Sequence, residues 1–82
     1  MSFYVYMLKS IGVKPVTYVG YTSNLKKRIG LHNSGKGAKF TRGRIWKLIY
    51  KEKYNSKSEA ISREYYIKSN RKVRNKIIIN YK

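Results

Sequence analysis

Six residues near the start constrain the fold more than any other segment. Phe3-Tyr-Val-Tyr-Met-Leu8 is uncharged and apolar on both alternating faces, the pattern of a β-strand covered on both sides. Gly12 and Pro15 punctuate a turn after it, and Val16 to Tyr21 resumes with β-branched and aromatic residues, so the two runs predict a hairpin. Side chains alternate along a strand with a period of two. Tyr4, Tyr6 and Leu8 therefore share one face of the first strand, and Val16, Tyr18 and Gly20 one face of the second, which allows Tyr6 and Tyr18 to meet on one side of the sheet.

Thr22, Ser23 and Asn24 are good N-cap residues, and Leu25, Ile29 and His32 recur at helical spacing until Asn33, Ser34 and Gly35, which predicts a helix of about three turns. Residues 35–44, Gly-Lys-Gly-Ala-Lys-Phe-Thr-Arg-Gly-Arg, show no apolar period and read as a loop. They lack the Gly-Lys-Ser/Thr ending of a Walker loop, which argues against nucleoside triphosphate binding. Trp46 to Tyr54 alternates as a third strand, with Trp46, Leu48 and Tyr50 on one face and Lys47, Lys51 and Lys53 on the other. Ser56-Lys57-Ser58-Glu59 is a capping box that starts a second helix carrying Ala60, Ile61, Glu64, Tyr65 and Lys68 on one stripe. That helix should break around Asn70. Val73, Ile77, Ile78 and Tyr81 then repeat at helical spacing, although Ile77-Ile78-Ile79 also suits a strand. The order ββαβαα makes this an α+β chain, and its length supports one small domain over residues 1–82.

Charge narrows the function. The 82 residues hold 20 Lys and Arg against 3 acidic residues, a formal net charge of +17. Such an excess repels itself in the folded state and suits a protein whose polyanionic partner supplies counter-charge and releases condensed ions on binding. Nucleic acid is the expected partner. Acidic membrane is the rival, but no apolar run of spanning length, no secretory segment and no long helix with one apolar and one basic face is present, so no membrane association is expected. Cysteine is absent, which excludes disulfides, thiolate metal sites and Cys nucleophiles and agrees with a reducing, cytoplasmic setting. Nine tyrosines and 41% apolar or aromatic residues exceed what a disordered basic tail contains.

Few residues are left to carry chemistry. Glu52 reads as a strand charge among lysines and Glu59 as a capping-box partner. Glu64 has neither explanation. It falls on the stripe that Ile61 and Tyr65 define as core-facing, where an unpaired carboxylate is costly. An internal salt bridge would satisfy it, and so would a hard divalent ion such as magnesium, held by one carboxylate with water and phosphate. Arg28 and His32 stand at i and i+4 on one helix face. A guanidinium fork suits phosphate and an imidazole exchanges protons near neutral pH; equally, Arg28 can bind phosphate without chemistry and His32 can simply pack. Lys26 and Lys27 sit where the helix dipole disfavours cations, which suggests either an external anion or a solvated basic face. With one His and no Asp or Cys, catalytic triads and multi-His metal sites are excluded.

Tyr4-Val5-Tyr6, Tyr18-Val19-Gly20, Arg28, His32 and a distant helical Glu64 together resemble the GIY-YIG nuclease domain over nearly the whole chain. The stretch from His32 to Thr41 is similar to its small stand-alone, YhbQ-like members. The resemblance implies a three-stranded antiparallel sheet flanked by helices and a Mg2+- or Mn2+-dependent endonuclease. By that pattern Glu64 would hold the metal, Arg28 would stabilise phosphate charge, Tyr18 or Tyr6 would position or deprotonate water, and His32 would assist the proton transfer. Lys26, Lys27, Lys36, Lys39, Arg42 and Arg44 would grip the nucleic-acid backbone, DNA more readily than RNA, in repair or processing. Tyr4, Val5 and Val19 depart from the family's Gly and Ile positions, and Asn75 is a loose match to a late Asn. Larger relatives, such as the endonuclease subunit of bacterial excision repair, choose targets through an attached domain. A targeting protein partner is compatible with this sequence, though nothing in it points to one. The alternatives are a nucleic-acid-binding module of the same fold with little cleavage activity, or a basic structural protein of a ribonucleoprotein particle.

Overall fold

A computed structural model describes residues 2–81. The chain runs β1 (Phe3–Ser10), β2 (Thr17–Thr22), α1 (Leu25–Asn33), a 3-10 turn (Lys39–Thr41), β3 (Trp46–Tyr54), α2 (Lys57–Ser69) and α3 (Arg71–Asn80). The three strands form an antiparallel sheet in the order β2-β1-β3. The uncharged first run is thus the central strand, and Val5, Tyr6, Met7 and Leu8 are all buried. Its two faces feed two cores. Val5 and Met7 pack with Val19 against Ala60 and Ile67 of α2, with Val73, Ile77 and Ile78 of α3 alongside. Tyr6 and Leu8 pack with Trp46 on the opposite face, against Leu25 and Ile29 of α1.

The alternation expected in β3 breaks in the middle. Met7 pairs with Tyr50 but Leu8 pairs with Leu48, so Ile49 is the extra residue of a β-bulge. Trp46 and Leu48 stay on the α1 face, whereas Ile49 and Tyr50 both join the α2–α3 face. Tyr50 therefore does not share a face with Trp46 and Leu48. The bulge also turns Glu52 inward. Its carboxylate accepts from Arg63 Nε at 2.8 Å and Nη2 at 3.0 Å, from the Tyr54 hydroxyl at 2.6 Å and from the Tyr50 hydroxyl. Glu52 is the centre of a β3–α2 clamp rather than a strand charge among lysines. Burial alone would raise its pKa, but the Arg63, Tyr50 and Tyr54 bonds outweigh that and hold it below its ordinary value.

The first two helices start at expected caps, and the third at Asn70, where only a break was expected. Asn24 Oδ1 accepts from Lys27 N, Ser56 Oγ from Glu59 N and Asn70 Oδ1 from Val73 N. Glu59 answers Ser56 through its hydroxyl at 2.9 Å. Asn70 both ends α2 and caps α3, and Ile77-Ile78-Ile79 is helical. The stripe on α2 differs from the expected one. Ala60 and Ile67 face the core, while Ile61 is 40% and Tyr65 71% exposed. Ala60, one methyl wide, lets the helix lie close to the sheet, and that places the Ile61–Tyr65 line on the outer side.

Candidate active site

At the β2 edge, where residues from both sheet faces can meet, Tyr6, Tyr18, Tyr21, Thr22, Arg28 and Glu64 line a cavity of about 390 Å3 floored by Gly20. Each arrives from a different local cause. Tyr6 lies opposite Gly20 in the β1–β2 register, and its ring runs over that glycine. A Cβ at position 20 would stand 2.6 Å from the Tyr6 hydroxyl oxygen and 3.0 Å from the Tyr18 ring. Arg28 follows from the Asn24 cap, whose carbonyl accepts the first helical bond from Arg28 N at 3.0 Å. Glu64 comes from α2, with its side chain 18% exposed and its carboxylate 3.5 Å from Lys68 Nζ.

Behind the cavity wall the imidazole of His32 is fully buried. Its Nε2 is 2.8 Å from the Tyr6 hydroxyl and its Nδ1 is 2.9 Å from Thr41 Oγ1. Gly37 lies so close to the ring that no Cβ fits there. Arg28 and His32 share a helix face, as the spacing predicts, but only Arg28 reaches the cavity; His32 reaches it through Tyr6. Burial pushes the Tyr6 phenol up to about 12, with the nearby Arg28 guanidinium pulling against it. Burial, and then the Arg28 charge, lowers the His32 pKa, so the imidazole is neutral at physiological pH. Tyr18 is held among rings, 5.0 Å from His32, 6.2 Å from a stacked Phe40 and 6.5 Å from Trp46.

Three participants escape a reading by motif. Thr41 is fully buried, at the end of a short 3-10 turn inside a segment expected to be plain loop. Lys68 places Nζ 5.6 Å from the Tyr18 ring centroid besides pairing with Glu64. Gly37 acts by packing against the His32 ring, in a segment that reads from its sequence as a plain loop. Trp46 ties this region together, since its indole Nε1 donates to Thr41 O at 2.9 Å and its backbone pairs with the Asn33 amide through 2.6 and 3.2 Å bonds. Helical spacing hinted at Lys68, and the family-like stretch from His32 to Thr41 contains Gly37 and Thr41 without marking what either does.

The six cations read as a backbone grip stand apart from the cavity lining. Lys26 and Lys27 are exposed on the first turn of α1, and Lys36, Lys39, Arg42 and Arg44 are exposed along residues 35–44. Lys26 borders a separate cleft with Tyr4 and Lys51. Asn75 is exposed on α3 and takes no part in the cavity. Among the described residues no group of three or more His, Cys, Asp or Glu is gathered for a metal, so a lone carboxylate is what the cavity presents. That suits a hard cation that keeps several waters, and it does not suit a fully protein-ligated transition metal. Among the described residues no helix is long and apolar enough to cross a membrane.

Comparison with known proteins identifies the family and the fold. Residues 2–77 match the GIY-YIG catalytic domain. A UPF0213 protein of Clostridium perfringens is 56% identical over 66 residues, 79% of this chain and 69% of its own length. A UPF0213 protein of Staphylococcus haemolyticus is 49% identical over 67 residues, covering 80% of this chain and 79% of that one. The solution NMR structure of a UPF0213 protein from Bacillus halodurans superposes with a TM-score of 0.57 at 39% identity, over 95% of this chain and 83% of that chain. With the sheet order, the two tyrosines, Arg28 and Glu64 arranged around one cavity, the chain belongs to the GIY-YIG nuclease family, among its small UPF0213 members.

Proposed function

We propose that the protein is a divalent-metal-dependent endonuclease that hydrolyses nucleic-acid phosphodiester bonds, acting on DNA in preference to RNA in repair or processing. The observation that carries this reading is the convergence of Tyr6, Tyr18, Arg28 and Glu64 on one cavity from four separate elements. Glu64 is the residue that would hold Mg2+ or Mn2+: its carboxylate borders the cavity, and its ion-pair partner at 3.5 Å is the exposed Lys68. Bound there, such an ion supplies Lewis acidity to a phosphate oxygen and makes water more acidic. Arg28 offers a bidentate fork to the phosphate and stabilises the charge that gathers on it.

The remaining work is proton transfer. A phenol with a pKa near 12 is a poor base by itself, so Tyr6 is suited to pass protons on. As the water oxygen attacks phosphorus, a water proton moves to the Tyr6 oxygen and the phenolic proton moves to His32 Nε2. The bond from phosphorus to the departing oxygen breaks, and that oxygen takes a proton from solvent. His32 gives up its extra proton to solvent back through Tyr6, which returns the imidazole to its neutral form. Tyr18, wedged between Phe40 and His32, orients the water and walls the cavity. The six exposed cations hold the backbone on either side without reading sequence.

The test is incubation of the protein with branched, nicked, duplex and single-stranded DNA and with RNA, in magnesium or manganese, alongside Glu64→Ala. Cleavage by the wild type that disappears in Glu64→Ala supports the assignment, and cleavage that survives the substitution sinks it. A wild type that binds every substrate and cuts none would be a nucleic-acid-binding module.

A further inference from the structure

The buried hydroxyl of Thr41 has more partners than its single proton can serve, and that fixes the state of His32. Thr41 Oγ1 lies 2.8 Å from Ala38 O, 3.2 Å from Ala38 N and 2.9 Å from His32 Nδ1. The Ala38 N–H can only donate and the Ala38 carbonyl can only accept. Two oxygens 2.8 Å apart in a site closed to water need a proton between them, so the Thr41 hydroxyl donates to Ala38 O. Its two lone pairs then face Ala38 N–H and His32 Nδ1, and Nδ1 must bring the hydrogen. A neutral imidazole protonated on Nδ1 leaves Nε2 as an acceptor, and the atom 2.8 Å from Nε2 is the Tyr6 hydroxyl oxygen.

We infer that Thr41 is a positioning residue that locks His32 in the Nδ1–H tautomer, so that Nε2 accepts the Tyr6 proton and the Tyr6 oxygen keeps its lone pairs for the cavity. The inference rests on the nuclease reading for its catalytic consequence but not for its hydrogen-bond order. Every donor in the row points away from the cavity: Tyr6 to His32, His32 to Thr41, Thr41 to Ala38. The opposite tautomer would turn Nε2–H on Tyr6, and the Tyr6 lone pair would be spent on His32 instead of on water. Neighbouring features serve the same end. Gly37 packs on the imidazole where any side chain would push it aside. Trp46 Nε1 holds the Thr41 carbonyl at 2.9 Å, which fixes the threonine from its other side.

The experiment is nitrogen-15 NMR of the imidazole in labelled protein, free of nucleic acid, for the wild type, Thr41→Val and Thr41→Ser, with cleavage kinetics measured on the same preparations. The expected wild-type spectrum shows Nδ1 protonated and Nε2 bare. Thr41→Val should lose that preference and lower kcat on the order of 100-fold with little change in KM, while Thr41→Ser keeps the tautomer and restores most of the rate. A wild-type spectrum with the proton on Nε2 overturns the inference, and so does a folded Thr41→Val with unchanged tautomer and kcat. Should Thr41→Val fail to fold, the wild-type spectrum and the Thr41→Ser kinetics decide. If the wild type cleaves nothing, the nuclease reading fails by itself, and the spectrum still settles the hydrogen-bond order.

Discussion

A methyl group at position 20 would stand 2.6 Å from the Tyr6 hydroxyl oxygen and 2.8 Å from its ring carbon Cζ. Gly20→Ala must therefore displace the phenol from its bond to His32, costing about 1–3 kcal/mol of stability as an overpacked core does and roughly 100-fold in cleavage rate through misplacement. Urea denaturation and single-turnover cleavage measure the two losses. His32 also sets an acid limit. Its folded pKa lies below the ordinary 6.5, so under mild acid the unfolded chain binds the proton that the native chain refuses. The stability contributed is complete above about pH 6.5 and is lost as pH falls through the lowered folded value. Glu52, also depressed, from an ordinary 4.5, adds a second loss of the same sign below about pH 4.5. Urea midpoints measured from pH 8 to 2 should fall in two stages, and His32→Gln should remove the first. At this scale the grouping of Tyr6, Tyr18, Arg28 and Glu64 was legible. The tyrosines followed from strand alternation and the family resemblance, and Arg28 and Glu64 because a lone guanidinium beside the one His and an unexplained carboxylate stand out in this chain. The surroundings of Glu64 were not legible. The Ile61–Tyr65 stripe that seemed to bury it faces outward, and the carboxylate borders a cavity instead of a core.

The elements themselves were legible from their period and their caps, since Asn24, Ser56 and Asn70 all cap as their residue types predict. The bulge at Ile49 was not. An alternating pattern in β3 carries no mark of one extra residue, because Trp46, Leu48 and Tyr50 are equally apolar whether or not they share a face. Which helix side faces the sheet was hidden for a related reason: α2 is apolar on more than one side, and only contact with β1 and β2 selects Ala60 and Ile67. With Ile49 present, the bulge is what brings Glu52 to Arg63. Because Leu48 pairs with Leu8 and Tyr50 with Met7, deleting Ile49 should close the bulge with Tyr50, Glu52 and Tyr54 still on the α2–α3 face. The Glu52–Arg63 pair is then kept, and only the Ile49 side chain is lost from that core. The expected outcome by circular dichroism is a transition that stays cooperative at a lower midpoint, with a loss of about 2–4 kcal/mol for the missing side chain. Ile49→Val, which keeps the count of residues, should cost about 0.5–1.5 kcal/mol. A deletion variant with no cooperative transition would show that the extra residue is itself needed to hold the two halves of β3 in register.

Across the whole molecule the charge divides into two populations. Arg63 and Lys68 carry the two ion pairs among the described residues, and Arg28 faces the cavity. The cations of α1's first turn and of residues 35–44 have no carboxylate partner there and are exposed. A net charge of +17 predicts binding to nucleic acid whatever its sequence, and it does not say where a bond would be cut; in the proposed function the cavity at the β2 edge supplies that part. The division can be measured. Each phosphate neutralised on a duplex contributes about −0.9 to the slope of log K against log salt. A Lys36→Ala, Lys39→Ala, Arg42→Ala triple variant should therefore bind duplex DNA more weakly, with its slope shallower by about 3, and the loss of cleavage should fall on KM. Arg28→Ala should show the reverse, a slope changed by about 1 at most and a loss concentrated in kcat. Binding isotherms at several salt concentrations, with calcium in place of magnesium to suppress cleavage, separate the two. Equal effects on slope and kcat in both variants would mean that one continuous surface both grips and cuts.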